Sequence, residues 1–467
     1  VSYHRALDLK PDLVSAHFCR GNVLNALGRH AEALADYDWA VSRGLADAAL
    51  LNNRGNVLQA LGRGEEALAS YGKAAEAAPD NAAIWKNRGH LLREQHRHAE
   101  ALASYDHAIR LGADDAEIWD DRGAALHGMK RFDEALASFE RAVAADPHYP
   151  PAWFHQALEH LARGDLEKGW PLWEWRRKLP SARLKDFVQP LWRGEDIAGK
   201  TLFVWWEEGW GDAILFFRFC IAARERGATV IFSAPGPLIR LFRDARSGVE
   251  IIGPEEAPPH FDYHIPLLSL PLAFRTRLET SPAWPAYLRV QVARTRAWKK
   301  TIGKEGFRIG VIWAATKERA LGRSFPLAEL KDISRLPGVR LISLQKHHGL
   351  EELDSLPPEM KVETHTFDDG PADQGGDAFL DTAAMMASMD LIVSADTSPA
   401  HLAGALGVPC WLALKYAADW RWFLNRSDSP WYPTMRLFRQ KAEGDWASVF
   451  AQMRETLAAG KQAFGPP

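Results

Sequence analysis

A period of 34 residues constrains this chain more than any other feature of its sequence. Glycines stand at Gly21, Gly55, Gly89 and Gly123, and Ala157 takes the next slot. Ala33, Ala67, Ala101, Ala135 and then Gly169 recur at the same interval. Sixteen residues after each small residue of the first series comes an aromatic: Tyr37, Tyr71, Tyr105, Phe139 and Trp173. Ala40, Ala74, Ala108 and Ala142 keep the same step, and Pro79 and Pro147 mark the ends of units. Such a period is that of a helix–turn–helix unit that buries its apolar face only by stacking on its neighbours. The small residues let two helices approach closely, and the aromatic is expected to fill the space between repeats.

The pattern resembles the tetratricopeptide repeat and implies an α-solenoid over residues 1–178. Tyr3 and Ala6 sit one period before Tyr37 and Ala40, so the first repeat is expected to be incomplete, with more repeats upstream. Stacked repeats make a curved surface suited to a polypeptide partner. On the first helix of each unit, Asn53 and Asn56 share a face, with Cys19 and Asn22 one period before and Asn87 and His90 one period after. Asparagine both donates and accepts, which suits it to gripping an extended backbone. Asn22, Asn53, Asn56, Asn87 and His90 are thus the candidate peptide-binding groove, although consensus solvent positions would look the same. The arrangement is similar to the asparagine ladder of the nucleocytoplasmic O-GlcNAc transferases, but here it breaks at Asp121 and Ala124. Arg20, Arg54, Arg88 and Arg122 also recur and read as structural. The junction at 164–180 holds Trp170, Trp173 and Trp175, expected to pack the solenoid firmly on the next domain.

At 467 residues the chain exceeds a single core. A net charge of −3 argues against a coat for nucleic acid or an anionic membrane. No apolar run approaches the roughly 18 residues of a spanning helix, so no stable membrane insertion is expected. Cys19, Cys220 and Cys410 are few and far apart, which suits a reducing, cytoplasmic setting.

From Lys200 the pattern changes to alternating strands and helices, the mark of a parallel sheet. Strands are expected at 202–206, 228–234, 249–252 and 262–266, with helices at 213–226 and 237–244. A second alternation places strands at 309–313, 339–344, 362–366, 391–394 and 408–414. Its helices are expected at 327–334, 350–356, 378–389 and 399–406, and a last helix at 446–459 is expected to cross back to the first half. The division is therefore 1–178, 179–300 and 301–467. In open α/β sheets ligands bind outside the carboxyl ends of the strands.

Two turns carry the chemistry. In SADTSPAHLAGALG, a strand ends, Ser398 is the expected N-cap and Pro399 the first helical residue, so backbone N–H groups and the helix dipole favour a phosphate. His401 falls in the first helical turn, placed to donate to the same anion. In EEGWGDAILFFRF, Gly209, Gly211 and Asp212 form a glycine-rich turn in the first half. Asp212 also reads as an N-cap for a helix from Ala213. Paired, these turns resemble the GT-B glycosyltransferases of the heptosyltransferase type (glycosyltransferase family 9), here fused to repeats as in certain bacterial proteins. SLQK at 343–346 and the segment 420–440, with its WRW and SPWYPTMRLFRQ stretches, belong to the same resemblance.

The resemblance implies a GT-B fold of two Rossmann-like halves. It implies sugar transfer from a nucleotide sugar, as co-substrate, to a hydroxyl, without an obligatory metal or cofactor. It carries Asp212 over as general base, with Glu208, Gly209 and Gly211 completing the acceptor-side turn and Glu208 as the fallback base. It places Arg323, Lys317, Gln345, Asp396, Thr397, Ser398 and His401 at the donor, Arg323 on phosphate and Gln345 near the nucleoside. No metal site is readable, and Asp368-Asp369 reads as a turn. Trp210 is bulky enough to narrow the acceptor side. The expected acceptor is Ser or Thr of a polypeptide held by the repeats, a flagellar or surface protein by analogy. The alternatives are a lipopolysaccharide-type sugar transferase and a non-catalytic repeat scaffold with a vestigial GT-B domain.

Overall fold

The computed structural model describes residues 2–45, 47–207, 209–282, 284–316, 322–367 and 379–460. The chain divides into two compact units, Val1–Gln156 and Ala157–Pro467.

The first unit is helical. Its elements are α1 (Ser2–Leu9), α2 (Val14–Ala26), α3 (His30–Ser42), α4 (Ala48–Ala60), α5 (Gly64–Ala77), α6 (Ala82–Glu94), α7 (His98–Arg110), α8 (Ala116–Gly128) and α9 (Phe132–Ala145). Helix α10 (Pro150–Ala162) runs on into the second unit. The periodic residues explain the pairing. A Cβ added to Gly21, Gly55, Gly89 or Gly123 would lie 2.5–2.7 Å from Cε1 of Tyr37, Tyr71, Tyr105 or Phe139. Each ring therefore lies over the glycine of its own unit, rather than only in the gap between units. The recurrent arginines are structural: Arg20 grips Asp36 with two bonds of 2.6–2.7 Å, and Arg54, Arg88 and Arg122 donate to Ser70, Ser104 and Ser138 at the same spacing. Asp47 and Asp115 cap α4 and α8 through Leu50 and Ile118 N–H. Between paired helices the chain turns through a left-handed residue: Gly28 and Gly62, then His96 (φ 60°) and Lys130 (φ 58°) at the same register.

The second unit opens with the end of α10 and α11 (Leu166–Trp173). A first sheet contains β1 (Thr201–Trp205), β2 (Thr229–Ser233), β3 (Glu250–Ile252) and β4 (Tyr263–Pro266). Helices α12 (Trp210–Glu225) and α13 (Ile239–Asp244) lie between its strands, and α14 (Leu270–Ala273) comes after them. After α15 (Val292–Ile302) comes a second sheet of β5 (Phe307–Ile312), β6 (Val339–Ser343), β7 (Val362–Glu363), β8 (Leu391–Ala395), β9 (Cys410–Leu414) and β10 (Met435–Arg439). Its helices are α16 (Lys331–Ser334), α17 (Leu380–Met386), α18 (Ser398–Ala405) and α19 (Trp446–Ala458). Both sheets are parallel, in the orders β3-β2-β1-β4 and β10-β9-β8-β5-β6-β7. The order reverses beside β1 in the first and between β5 and β8 in the second, so a crevice opens at the carboxyl ends of those strands.

Several expectations change. The compact division falls at Gln156, before the expected repeat boundary at 178, because 157–178 pack into the second unit. There Trp170 donates to Thr276 O at 3.1 Å, and buried Arg176 pairs with Glu207 at 3.0 Å. Helix α15 was not among the expected helices, and it docks on α17 through Arg294 and Trp298, which both donate to Asp381. Helix α19 does not cross back: Trp446, Phe450 and Met453 pack with Phe325, Leu327 and Leu330 in the core of the second sheet. Strand β10 was unforeseen, and β7 is shorter than 362–366. The pair Asp368-Asp369 lies outside the described residues.

Candidate functional site

The two glycine- and serine-bearing turns sit where topology favours a ligand. Trp206 and Glu207 leave the carboxyl end of β1, and Asp396 and Thr397 leave that of β8. The helices they start meet directly. A Cβ on Gly211 would stand 2.8 Å from His401 Cδ2 and 3.6 Å from Ser398 Cα, so only glycine lets α12 come this close to α18.

Helix α18 starts one residue earlier than expected. Thr397, in extended conformation, is the N-cap, Ser398 the first helical residue and Pro399 the second. The Thr397 side chain does not cap the helix, since its hydroxyl donates back to Ala395 O at 3.3 Å. Thr397 and Ser398 are half-buried, and the uncapped N-terminus can receive an anion. Arg323 is half-buried and close enough to Asp396 and Asp419 to act on both carboxyls. Among the described residues it forms no hydrogen bond or ion pair. Lys415, just past β9, is held below the usual lysine range by burial and by Arg323. Asp396 and Asp419 act on Lys415 as well as on Arg323, so the two cations share these carboxyls.

Asp212 does not cap a helix from Ala213. Helix α12 starts at Trp210 behind Gly209 (φ 77°), and Asp212 falls in its first turn. Its Oδ1 accepts from Arg421 Nε at 2.8 Å and Nη2 at 2.5 Å, while Arg421 Nη1 reaches Asp419 at 2.8 Å. Arg421 therefore joins the two turn regions. Burial works against its charge, but Asp212 and Asp419 outweigh that and raise its pKa. Burial pushes Asp419 up, yet Arg421 holds it below the carboxylate range. Asp396 is pushed up to about 6 by burial and then by Asp419, against the pull of Arg323.

Two expected ligand contacts are occupied. Gln345 Oε1 accepts from Trp313 N and Ala314 N, both at 3.0 Å, and its Nε2 donates to Ala314 O and Lys346 O. A side-chain amide has no further capacity, so Gln345 latches the ends of β5 and β6 instead of reading a nucleoside. His401 is 5% exposed, stacks on Trp422 and lies 3.0 Å from Tyr432 Oη through Nδ1. Burial, then Arg421, brings it down to about 3, so the ring is neutral and serves the packing of the two turns. Glu208 and Lys317 lie outside the described residues. Trp210 is exposed and meets Phe379 edge-on at 5.7 Å. Lys346, pushed down to about 8 by burial, lies over the Phe367 ring at 4.3 Å.

In the first unit the asparagines bond chiefly to one another and to tyrosines. Asn53 donates to Asn22 and Asn87 to Asn52, both at 2.9 Å, while Tyr37 and Tyr71 donate to Asn22 and Asn56. His90 faces Asp121. All five groove residues are half-buried on first helices of their units, but they form no open row of unused amides.

Sequence reasoning missed Arg421, Asp419 and Lys415. Arg421 could be suspected only as a charge inside an aromatic stretch, and its partner lies 209 residues away. Among the described residues no helix is long and apolar enough to cross a membrane.

Residues 47–113 and 116–149 match the tetratricopeptide repeat family. Protein FlbA of Caulobacter vibrioides is 28% identical in an alignment of 332 positions that covers 65% of this chain and 54% of that protein. The chain thus spans about half the length of the curated relative it matches. Among solved structures, YrrB, described as a tetratricopeptide repeat protein with an unusual peptide-binding site, aligns with a TM-score of 0.34 and 22% identity over 38% of this chain and 92% of its own. MamA of Desulfovibrio magneticus aligns with a TM-score of 0.33 and 18% identity over 36% of this chain and 93% of its own. The N-terminal part of the chain carries tetratricopeptide repeats, a fold that suggests a protein partner, and two parallel sheets come after it.

Proposed function

We propose that the second unit is a GT-B glycosyltransferase of the heptosyltransferase type, acting on Ser or Thr of a polypeptide held by the repeats. The observation that carries this reading is the meeting of the two turns. An uncapped α18 N-terminus and Arg323, unpaired among the described residues, stand on one side, and the Asp212 carboxylate stands on the other. In this scheme the leaving diphosphate of a nucleotide sugar lies at Thr397 and Ser398 with Arg323 on its oxygens. Fixed donors there stabilise the charge that grows as the sugar–phosphate bond breaks. The acceptor hydroxyl attacks the anomeric carbon, its proton passes to Asp212, and the nucleotide leaves with the bonding electron pair. General-base help of this kind is worth about 10²–10⁴ in rate. Arg421 fixes the direction of the carboxylate.

The test is release of nucleoside diphosphate from a panel of nucleotide sugars, in the presence of bacterial surface polypeptides. Asp212→Asn should retain donor binding and lose at least about a hundredfold in turnover. Equal turnover in that variant would remove Asp212 from the base role. One observation favours a second reading, a repeat scaffold with a vestigial domain: Gln345 and His401, two of the expected donor contacts, are occupied by internal partners. Absence of donor binding in both proteins would establish that reading.

A further inference from the structure

The third and fourth repeats leave buried polar atoms unmatched where earlier repeats satisfy them. Tyr37 donates to Asn22 at 2.7 Å and Tyr71 to Asn56 at 2.6 Å. At the same register His90 replaces the asparagine, so the fully buried Tyr105 Oη loses that acceptor and stands beside Arg93 instead. On α8, Asp121 occupies the register of Asn53 and Asn87. It is 7% exposed, and its Oδ2 accepts no hydrogen bond.

That oxygen points at a second ligand-type atom. His90 Nδ1 lies 3.4 Å from Asp121 Oδ2, and Glu117, one turn earlier on α8, brings a carboxylate oxygen within 4.8 Å of a ligand atom of each residue. Ligands bound at about 2.0–2.1 Å around a tetrahedral ion stand about 3.3–3.4 Å apart. The His90–Asp121 spacing is one edge of that figure. An octahedral magnesium site would require an edge near 2.9 Å and an all-oxygen set. We propose that His90, Asp121 and Glu117 bind a divalent transition ion of the zinc class, clipping α6 to α8 and leaving the fourth position to solvent.

Two neighbouring cations set the affinity. Arg93 Nη2 lies 3.2 Å from His90 Nε2 and 3.3 Å from Asp121 Oδ1, and Lys86 holds Glu117 at 2.6 Å. These contacts stabilise the cluster without an ion. A metal-bound imidazole carries its proton on the distal nitrogen and donates it to an acceptor. Loading therefore moves the His90 proton to Nε2 and displaces Arg93 from that nitrogen, while Arg93 can keep Asp121 Oδ1.

Calorimetric titration of Zn²⁺ into the full chain tests this, with circular dichroism melts to confirm folding of each variant. His90→Ala and Asp121→Asn should each weaken one site at least tenfold. Arg93→Gln should tighten it about tenfold or more, since it removes a competing charge and its Oε1 accepts the Nε2–H. Zn²⁺ binding that is the same in wild type, His90→Ala and Asp121→Asn would overturn the proposal. So would absence of a site in both wild type and Arg93→Gln.

Discussion

Arg421→Ala is the perturbation with the largest expected effect on the second unit. Arg421 is 13% exposed in its side chain and is the cation between Asp212 and Asp419, which are 19% and 23% exposed. Removing it leaves two carboxylates facing each other, with Asp396 close by. Loss of one partner from a buried ion pair costs about 3–5 kcal/mol. The partners here keep about a fifth of their exposure, so water can enter, and the expected loss lies at the lower end, about 3 kcal/mol. Urea unfolding followed by tryptophan fluorescence reads this unit well, because fifteen of the nineteen tryptophans lie in it. The transition midpoint should fall with an unchanged slope. Arg421→Met combined with Asp212→Asn should recover a large part of the loss, since it removes the stranded charge with the cation. A loss below about 1 kcal/mol, the range of surface ion pairs, or a double variant no better than Arg421→Ala, would refute the buried-pair account.

Three other outcomes come from single contacts. His401 is held down to about 3, so between that value and its ordinary 6.5 the unfolded chain binds a proton that the folded one does not. Its contribution is full above about pH 6.5 and declines as pH falls toward 3, so the stability gap to His401→Gln should narrow by about 1.4 kcal/mol per pH unit on acidification; a constant gap contradicts the neutral ring. Gly55→Ala puts a methyl 2.5 Å from Tyr71 Cε1, and overpacking of about 1–3 kcal/mol should exceed the gain of about 1 kcal/mol in helix propensity, lowering the melting temperature of the helical unit. His96→Gly should raise it by about 0.5–1 kcal/mol, because a left-handed non-glycine residue costs about 1–2 kcal/mol, partly offset by the entropy of glycine.

The helical unit was legible because each periodic residue acts within its own 34-residue span, as Gly55 and Tyr71 do. The strands of both sheets were legible where they are continuous apolar runs, such as 391–394. Strand β10 was not, because Arg436 and Arg439 interrupt its apolar residues. Arg439 stays half-buried because its guanidinium donates to the Trp422, Phe423 and Arg426 carbonyls, a network formed by tertiary contact alone. The location of the candidate site was readable from the turns. The state of its side chains was not: Gln345 is consumed by strand ends that meet only in the folded sheet, and Arg421 finds Asp212 across 209 residues.

The central claim is that Arg323 and the α18 N-terminus form an anion site for a nucleotide sugar. Calorimetric titration with nucleoside diphosphates and nucleotide sugars, in wild type and in Arg323→Ala, tests it most directly. The account predicts one site per chain in wild type for at least one nucleotide. It predicts a loss of about 1.5–3 kcal/mol in Arg323→Ala, the worth of a charged hydrogen bond, or roughly ten- to a hundredfold in affinity. Binding unchanged by that substitution, or no nucleotide binding at all, would contradict it.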